Sequence, residues 1–387
     1  PPPLPNMDTE RPPLLWTPEI ALRSKQQVVE EDWKAPDQEA AWLKSHERRS
    51  APAPANLKEW TTLKSHDVTL LYQARSTPPI PSLEEILGTT EKNCLNTKIG
   101  LHKVCRIGDT VVKCSTSPDV VEEAENLLFL AQNRPDLHIP TVLAVWSIPG
   151  EFRVVYCFMM NFIEGIMMSD EKFAELPIHA QDTICAKISS QIRYLRELPS
   201  EEGYYGRAHG QGWLCAPPGL ETNTSASRAV VGPYKTYEEY CAAMYRALQL
   251  QRAIGSAGIE WAPNQPRSLA EFTSVFPGWE PHEPKYTWID PSIRNVIARQ
   301  TKTKEYDGIE DWEVFLIDWE YSGWYPAWLQ GMQINRRGSI VLRDPDNLEK
   351  VNLYRKSELV PIMLKEFDPE PDKERLAILG RLQWRFF

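Results

Sequence analysis

The stretch Leu316-Ile317-Asp318-Trp319-Glu320-Tyr321-Ser322-Gly323-Trp324-Tyr325-Pro326 sets a carboxylate at the end of an apolar run that begins at Val314. A charge at the end of a buried strand is costly unless a counter-charge or a metal ion meets it. Asp318 is therefore expected to face a site. Upstream, Tyr286-Thr287-Trp288-Ile289-Asp290-Pro291-Ser292-Ile293-Arg294-Asn295-Val296 holds a second carboxylate and an amide in a Pro-containing loop flanked by apolar residues. An Asp in such a loop can act as a base or orient a hydroxyl, and an Asn amide oxygen can ligate Mg2+.

Farther out, His102 to Ile107 and Thr110 to Cys114 are β-rich runs joined by Gly108-Asp109, which predicts a hairpin. Lys113 lies near the end of its second strand, where an ammonium makes a poor core residue, so it is expected to point into a cleft. Val120 to Ala131 predicts a helix with Leu127 and Leu130 facing the core, and Ala124 or Glu123 one turn back. Glu123, with Glu122 as the alternative, stands where it could pair with Lys113. Two apolar strands follow, Thr141 to Trp146 and Arg153 to Met160. Hairpin, helix and strands in that order suit a five-stranded small lobe.

After Gly165 the pattern turns helical. Ile184, Ile188, Ile192, Leu195 and Leu198 recur at intervals of three and four, and Pro199 ends the run. Thr236-Tyr237-Glu238-Glu239 reads as a capping box opening a helix to about Ile254. Tyr286 to Ala298 and Val314 to Ile317 read as short strands bracketing a polar loop, and the tail from Leu348 to Phe387 reads as mostly helical.

A lysine, a carboxylate to hold it, a carboxylate near an acceptor hydroxyl and oxygen ligands for Mg2+ are the groups that phosphoryl transfer from ATP requires. The segments that carry them resemble the aminoglycoside-phosphotransferase family, a protein-kinase-like group, and its fungal branch above all. The match is nearly residue for residue over Leu316 to Pro326, and looser over Tyr286 to Val296. It extends to Arg106 to Asp109, Val112-Lys113, Glu123 to Leu127, Phe162 to Gly165 and Gly232 to Tyr234, covering about residues 100 to 335 in consistent order. The resemblance implies that Lys113 holds the ATP phosphates, Glu123 orients Lys113, and Met160, Asn161 and Ile163 present backbone to the adenine. It further implies that Asp290 is the catalytic acid-base group and that Asn295 and Asp318 bind Mg2+. Trp288 and Ile289 stand where the family has His and Gly, and Gly100 is the only glycine between Cys94 and Ile107. Tyr321, Trp324 and Trp328 are read as core aromatics.

Composition sets the outer bounds. The chain of 387 residues is 42% hydrophobic, enough for a sizeable core, and has no apolar run long enough to span a membrane. A net charge of −10 argues against a nucleic-acid partner and is compatible with a cationic substrate. Seven cysteines without a CxxC pair fit buried thiols in a reducing compartment, so a cytoplasmic location is expected and the Asn223-Thr224-Ser225 sequon is read as a chance match. Pro1 to Pro13 show no leader pattern.

The expected fold is α+β and bilobal, protein-kinase-like. It comprises a Pro-rich N-terminal arm (1–55), a small β-rich nucleotide-binding lobe (56–160) and a larger helical catalytic and substrate lobe (161–387). Trp16, Trp33 and Trp42 suggest that the arm packs against the body, and the Ala-Pro run from Ala51 to Ala55 reads as a linker. The expected activity is Mg-ATP-dependent phosphorylation of a hydroxyl on a small metabolite, an amine-bearing one being compatible with the acidic surface. The alternative is a catalytically impaired pseudokinase that acts as a binding or scaffold protein.

Overall fold

A computed structural model describes residues 23–49, 69–96, 102–116, 119–148, 154–212, 232–255, 276–301, 311–337, 342–343 and 350–351. Trp16, the Ala-Pro run, Gly100, Cys215, the sequon, most of the polar loop after Thr301 and most of the tail lie outside the described residues.

The predicted hairpin forms as β2 (His102–Ile107) and β3 (Thr110–Ser115), and Gly108 takes φ 59° in the turn. That left-handed conformation is open to glycine at little cost. Together with β1 (Thr69–Gln73), β4 (Val142–Ile148) and β5 (Val155–Asn161) they build an antiparallel sheet in the order β1-β4-β5-β3-β2. The fifth strand is thus β1, paired with β4 and absent from the sequence reading. All six residues of β3 are buried, because both faces of the strand are covered. Val112 and Cys114 enter a core with Trp146, Cys157 and Ile86, the last from a short helix (Leu83–Leu87). Strand alternation sends Val111 and Lys113 to the other face. Helix α4 (Asp119–Asn133) packs across that face on Ala124, Leu127 and Leu130.

The chain then becomes helical. The long helix α6 (Ile178–Arg196) buries Ile184, Ile188, Ile192 and Leu195, the spacing that the sequence shows, and lies against strand β9 (Asp311–Leu316). Strand β9 pairs with β8 (Val296–Thr301), which in turn pairs with the two-residue β6 (Ile166–Met167). Strands β7 (Pro284–Thr287) and β10 (Gly323–Pro326) form a separate antiparallel pair. Residues 286–298 are therefore not one strand: between β7 and β8 the backbone leaves the ladder, carrying Asp290, and makes a single helical turn at Ile293–Asn295. Pro291, which cannot donate to a ladder, accounts for the break.

A second core surrounds helix α7 (Tyr237–Gly255) and helix α8 (Trp328–Arg337), with Tyr240, Tyr245, Trp279 and Trp328 buried. Thr236 Oγ1 accepts from Glu239 N at the start of α7, but the Glu239 carboxylate turns to Lys235 N, one residue before the position a capping box requires. Part of the N-terminal arm belongs to this core. Helix α1 (Lys25–Glu31) packs on α7, and Trp33 is buried with its Nε1 donating to Leu250 O at 3.1 Å. Trp42, on α2 (Gln38–Arg49), is 44% exposed. The architecture is α+β, a β-rich small lobe followed by a larger helical one. Among the described residues, no helix is long and apolar enough to cross a membrane.

Candidate active site

Strand β3 delivers Lys113 to a cleft between the two lobes, and three carboxylates meet it there. Its Nζ lies 2.5 Å from Glu123 Oε2, 3.0 Å from Asp318 Oδ1 and 2.6 Å from Glu320 Oε1. Glu123 comes from α4, one turn before the core-facing Leu127. Its alternative, Glu122, is fully buried and lies 3.3 Å from Arg207 Nε instead. The other two acids come from the turn after β9.

That turn is shaped by its neighbours. Asp318 takes φ 62°, a strained conformation for a residue with a side chain, so the surrounding contacts must hold it. Ile317 N donates to Asn295 O at 3.0 Å, and Asn295 Nδ2 donates to Asp290 O at 3.1 Å. Trp288, fully buried, donates its Nε1 toward Ile317 O and Asp318 O, each at 3.3 Å. Trp288 is itself fixed through its backbone, which exchanges two hydrogen bonds with the Gln330 side chain. The bulky residue in the His position is thus a support for the Asp318 turn.

The electrostatics follow from burial and an excess of acid. Burial alone would push the Lys113 ammonium down, but Asp318, Glu123 and Glu320 together hold it well above its ordinary value. Burial pushes the Glu123 carboxyl up; Lys113 opposes this, while Asp318 and Glu320 reinforce it, and the result is about 8. Asp318 is the most open of the four, with 37% of its side chain exposed against 9% for Lys113.

The cleft has a volume of about 610 Å³, and its lining includes Lys113, Glu123, Met160, Asn161 and Ile163. Asn295 and Asp318 line it from the large lobe, whereas Asp290 is not among its lining residues. At the link between the lobes, Phe162 N donates to Asp109 O at 2.9 Å and Asn161 Oδ1 accepts from Thr141 N at 2.6 Å. The Arg106 guanidinium sits 3.6 Å from the centre of the Phe162 ring, close enough for a cation–π contact.

Among the described residues, the acidic side of the cleft offers oxygen donors only. One ligand oxygen from each of Glu123, Asp318 and Glu320 lies within 4.8 Å of the others. With its nitrogen spent on Asp290 O, Asn295 has its amide oxygen left to offer. Carboxylate and amide oxygens are the hard ligands that Mg2+ takes, so the residues fit the ion. Glu320 was missed in the sequence: only the left-handed turn at Asp318 brings it back to Lys113.

No family model matches the chain, and no curated protein matches it. Similar solved structures include an ADP-bound aminoglycoside phosphotransferase, 11% identical, covering 84% of this chain and 85% of that chain, with a TM-score of 0.41. A putative fructosamine-3-kinase from Haemophilus somnus 129PT is 11% identical, with 85% and 86% covered and a TM-score of 0.43. A choline/ethanolamine kinase family protein from Mesorhizobium loti is 16% identical, with 79% of each chain covered and a TM-score of 0.37.

Proposed function

We propose that this chain is a Mg-ATP-dependent phosphotransferase that acts on a hydroxyl of a small molecule. The observation that carries the reading is Lys113 Nζ set between Glu123 Oε2 and Asp318 Oδ1 on the wall of an interlobe cleft that Asn295 also lines. Lys113 would hold the nucleotide phosphates, and Glu123 would fix its direction. The link from Met160 to Ile163, which lines the cleft, would face the base. Asn295 and Asp318 would hold Mg2+, which when bound neutralises charge on the transferred phosphate. Asp290, tied through its backbone to Asn295, would orient the acceptor hydroxyl and take up its proton. The residues of 1–55, 56–160 and 161–387 would then serve as arm, nucleotide lobe and catalytic lobe.

A second reading, a binding protein without turnover, draws on one observation. Glu320 Oε1 stands 2.6 Å from Lys113 Nζ and competes with phosphate for the ammonium.

Thermal unfolding with saturating Mg-ATP tests the nucleotide binding that the first reading requires. At ligand about 100 times its dissociation constant the gain is roughly 2.7 kcal/mol. Asp318→Ala should remove the Mg2+-dependent part of that gain. A wild-type transition that does not move with Mg-nucleotide contradicts the phosphotransferase reading.

A further inference from the structure

Helix α4 carries more charge toward the large lobe than the cleft accounts for. Successive helical residues are rotated by about 100°, so Glu122 and Glu125 share a face that Glu123 does not. Glu123 turns to Lys113, while Glu122 and Glu125 turn to one cation of the large lobe, Arg207. Arg207 is 1% exposed, and its Nε lies 3.3 Å from Glu122 Oε1 and its Nη1 2.5 Å from Glu125 Oε2. Its Nη2 donates to Gln211 Oε1 at 3.1 Å, and Gln211 Nε2 donates onward to Glu125 Oε1 at 3.0 Å. A buried guanidinium shared by two carboxylates fixes direction as well as charge, since the planar fork accepts few geometries.

Arg207 is anchored to the segment that follows the Asp318 turn. Gly206 N donates to Trp324 O at 3.0 Å and Trp324 N donates to Gly206 O at 2.8 Å, joining Arg207 to strand β10. The two backbones come this close because the residue before Trp324 is glycine: a Cβ on Gly323 would stand 2.5 Å from Gly206 O. The same region grips α4 a second time. Asn126 Nδ2, one turn after Glu122 and Glu123, donates to Trp319 O at 3.0 Å and to Ser322 O at 3.3 Å. Trp319 N in turn donates to Glu123 Oε1 at 3.3 Å. Rotation of α4 that took Glu123 from Lys113 would have to break the Arg207 ion pairs.

We propose that Arg207 is a positioning residue: it clamps α4 to the large lobe and so keeps Glu123 on Lys113 for nucleotide binding. The proposal rests on the phosphotransferase reading of the cleft. It assigns a role in the site to a residue outside the cleft.

A double-mutant cycle tests it, read as affinity for a fluorescent Mg-ATP analogue. Arg207→Lys keeps the charge and loses the fork, and should weaken binding by about tenfold, the scale of coupling within one ion-pair network. In a Glu123→Gln background the same substitution should change little, because the partner it positions is gone. Should R207K fail to fold, Arg207→Met combined with Glu122→Gln and Glu125→Gln leaves no buried charge unpaired. That triple variant should show the same dependence on Glu123. Equal losses with and without Glu123 would make Arg207 merely structural and overturn the clamp alone. Wild-type protein that binds no nucleotide would overturn the reading beneath the proposal, and the proposal with it.

Discussion

Glu320 Oε1 lies 2.6 Å from Lys113 Nζ, so the ammonium in the cleft answers to a third carboxylate two residues past Asp318. Three acids around one base leave an excess of negative charge that a nucleotide's phosphates must face. Glu320→Gln should therefore strengthen binding of Mg-free ADP by roughly 3- to 10-fold, as expected for one like-charge contact removed at a part-exposed site. Calorimetric titration checks this. Unchanged or weaker binding would show that Glu320 does not compete with the phosphates for Lys113.

The Glu123 carboxyl gives the protein a pH dependence of known sign. Its folded value, pushed to about 8 by burial first and then by Asp318 and Glu320 against the pull of Lys113, lies above its ordinary value of 4.5. The folded state therefore holds the proton more tightly, and this contribution to stability is fully present below about 4.5 and is lost as pH rises toward 8. Melting temperature between those limits should fall less steeply in Glu123→Gln, which cannot titrate, than in the wild type. Identical slopes would show that Glu123 titrates at its ordinary value.

Trp288 acts through packing and through the turn it supports. It is fully buried and close to Trp319, with ring centres 6.0 Å apart. Trp288→Ala should cost about 3 to 5 kcal/mol in denaturant unfolding, the usual range for emptying an aromatic site. Trp288→Phe should cost less in stability yet still lose the indole donor to Ile317 O and Asp318 O. A loss below ~1 kcal/mol for the Ala variant would contradict its burial.

Local pattern made much of this legible. The β2–β3 hairpin, α4 and α6 follow from period-two and period-3.6 spacing around Gly108-Asp109, Leu127 and Ile188. Lys113, Glu123, Asn295 and Asp318 all line the cleft; the first two sit at fixed places in a strand and a helix, the other two in turns next to strands β8 and β9. What escaped depends on distant partners. Strand β1 is short and pairs Gln73 with Ala144, a contact that no window of sequence holds. Arg207 is a lone cation in a glycine-rich loop until Glu122 and Glu125 meet it across the fold. The two residues before Asp290 depart from the resembled motif, yet Trp288 sits in the core and supports the turn beside the site.

The central claim is phosphoryl transfer at this cleft, and Asp290→Asn tests it most directly. The substitution keeps size and hydrogen bonding and removes the charge that would take up the acceptor proton. Nucleotide affinity should stay near the wild-type value, because Lys113, Asn295 and Asp318 still line the cleft. Turnover of ATP, with water as acceptor until a better one is found, should fall by about 10² to 10⁴, the usual contribution of a positioned acid or base. Wild-type protein that binds Mg-ATP but transfers its phosphate to nothing, or an Asp290→Asn variant that turns over at the wild-type rate, would contradict the account.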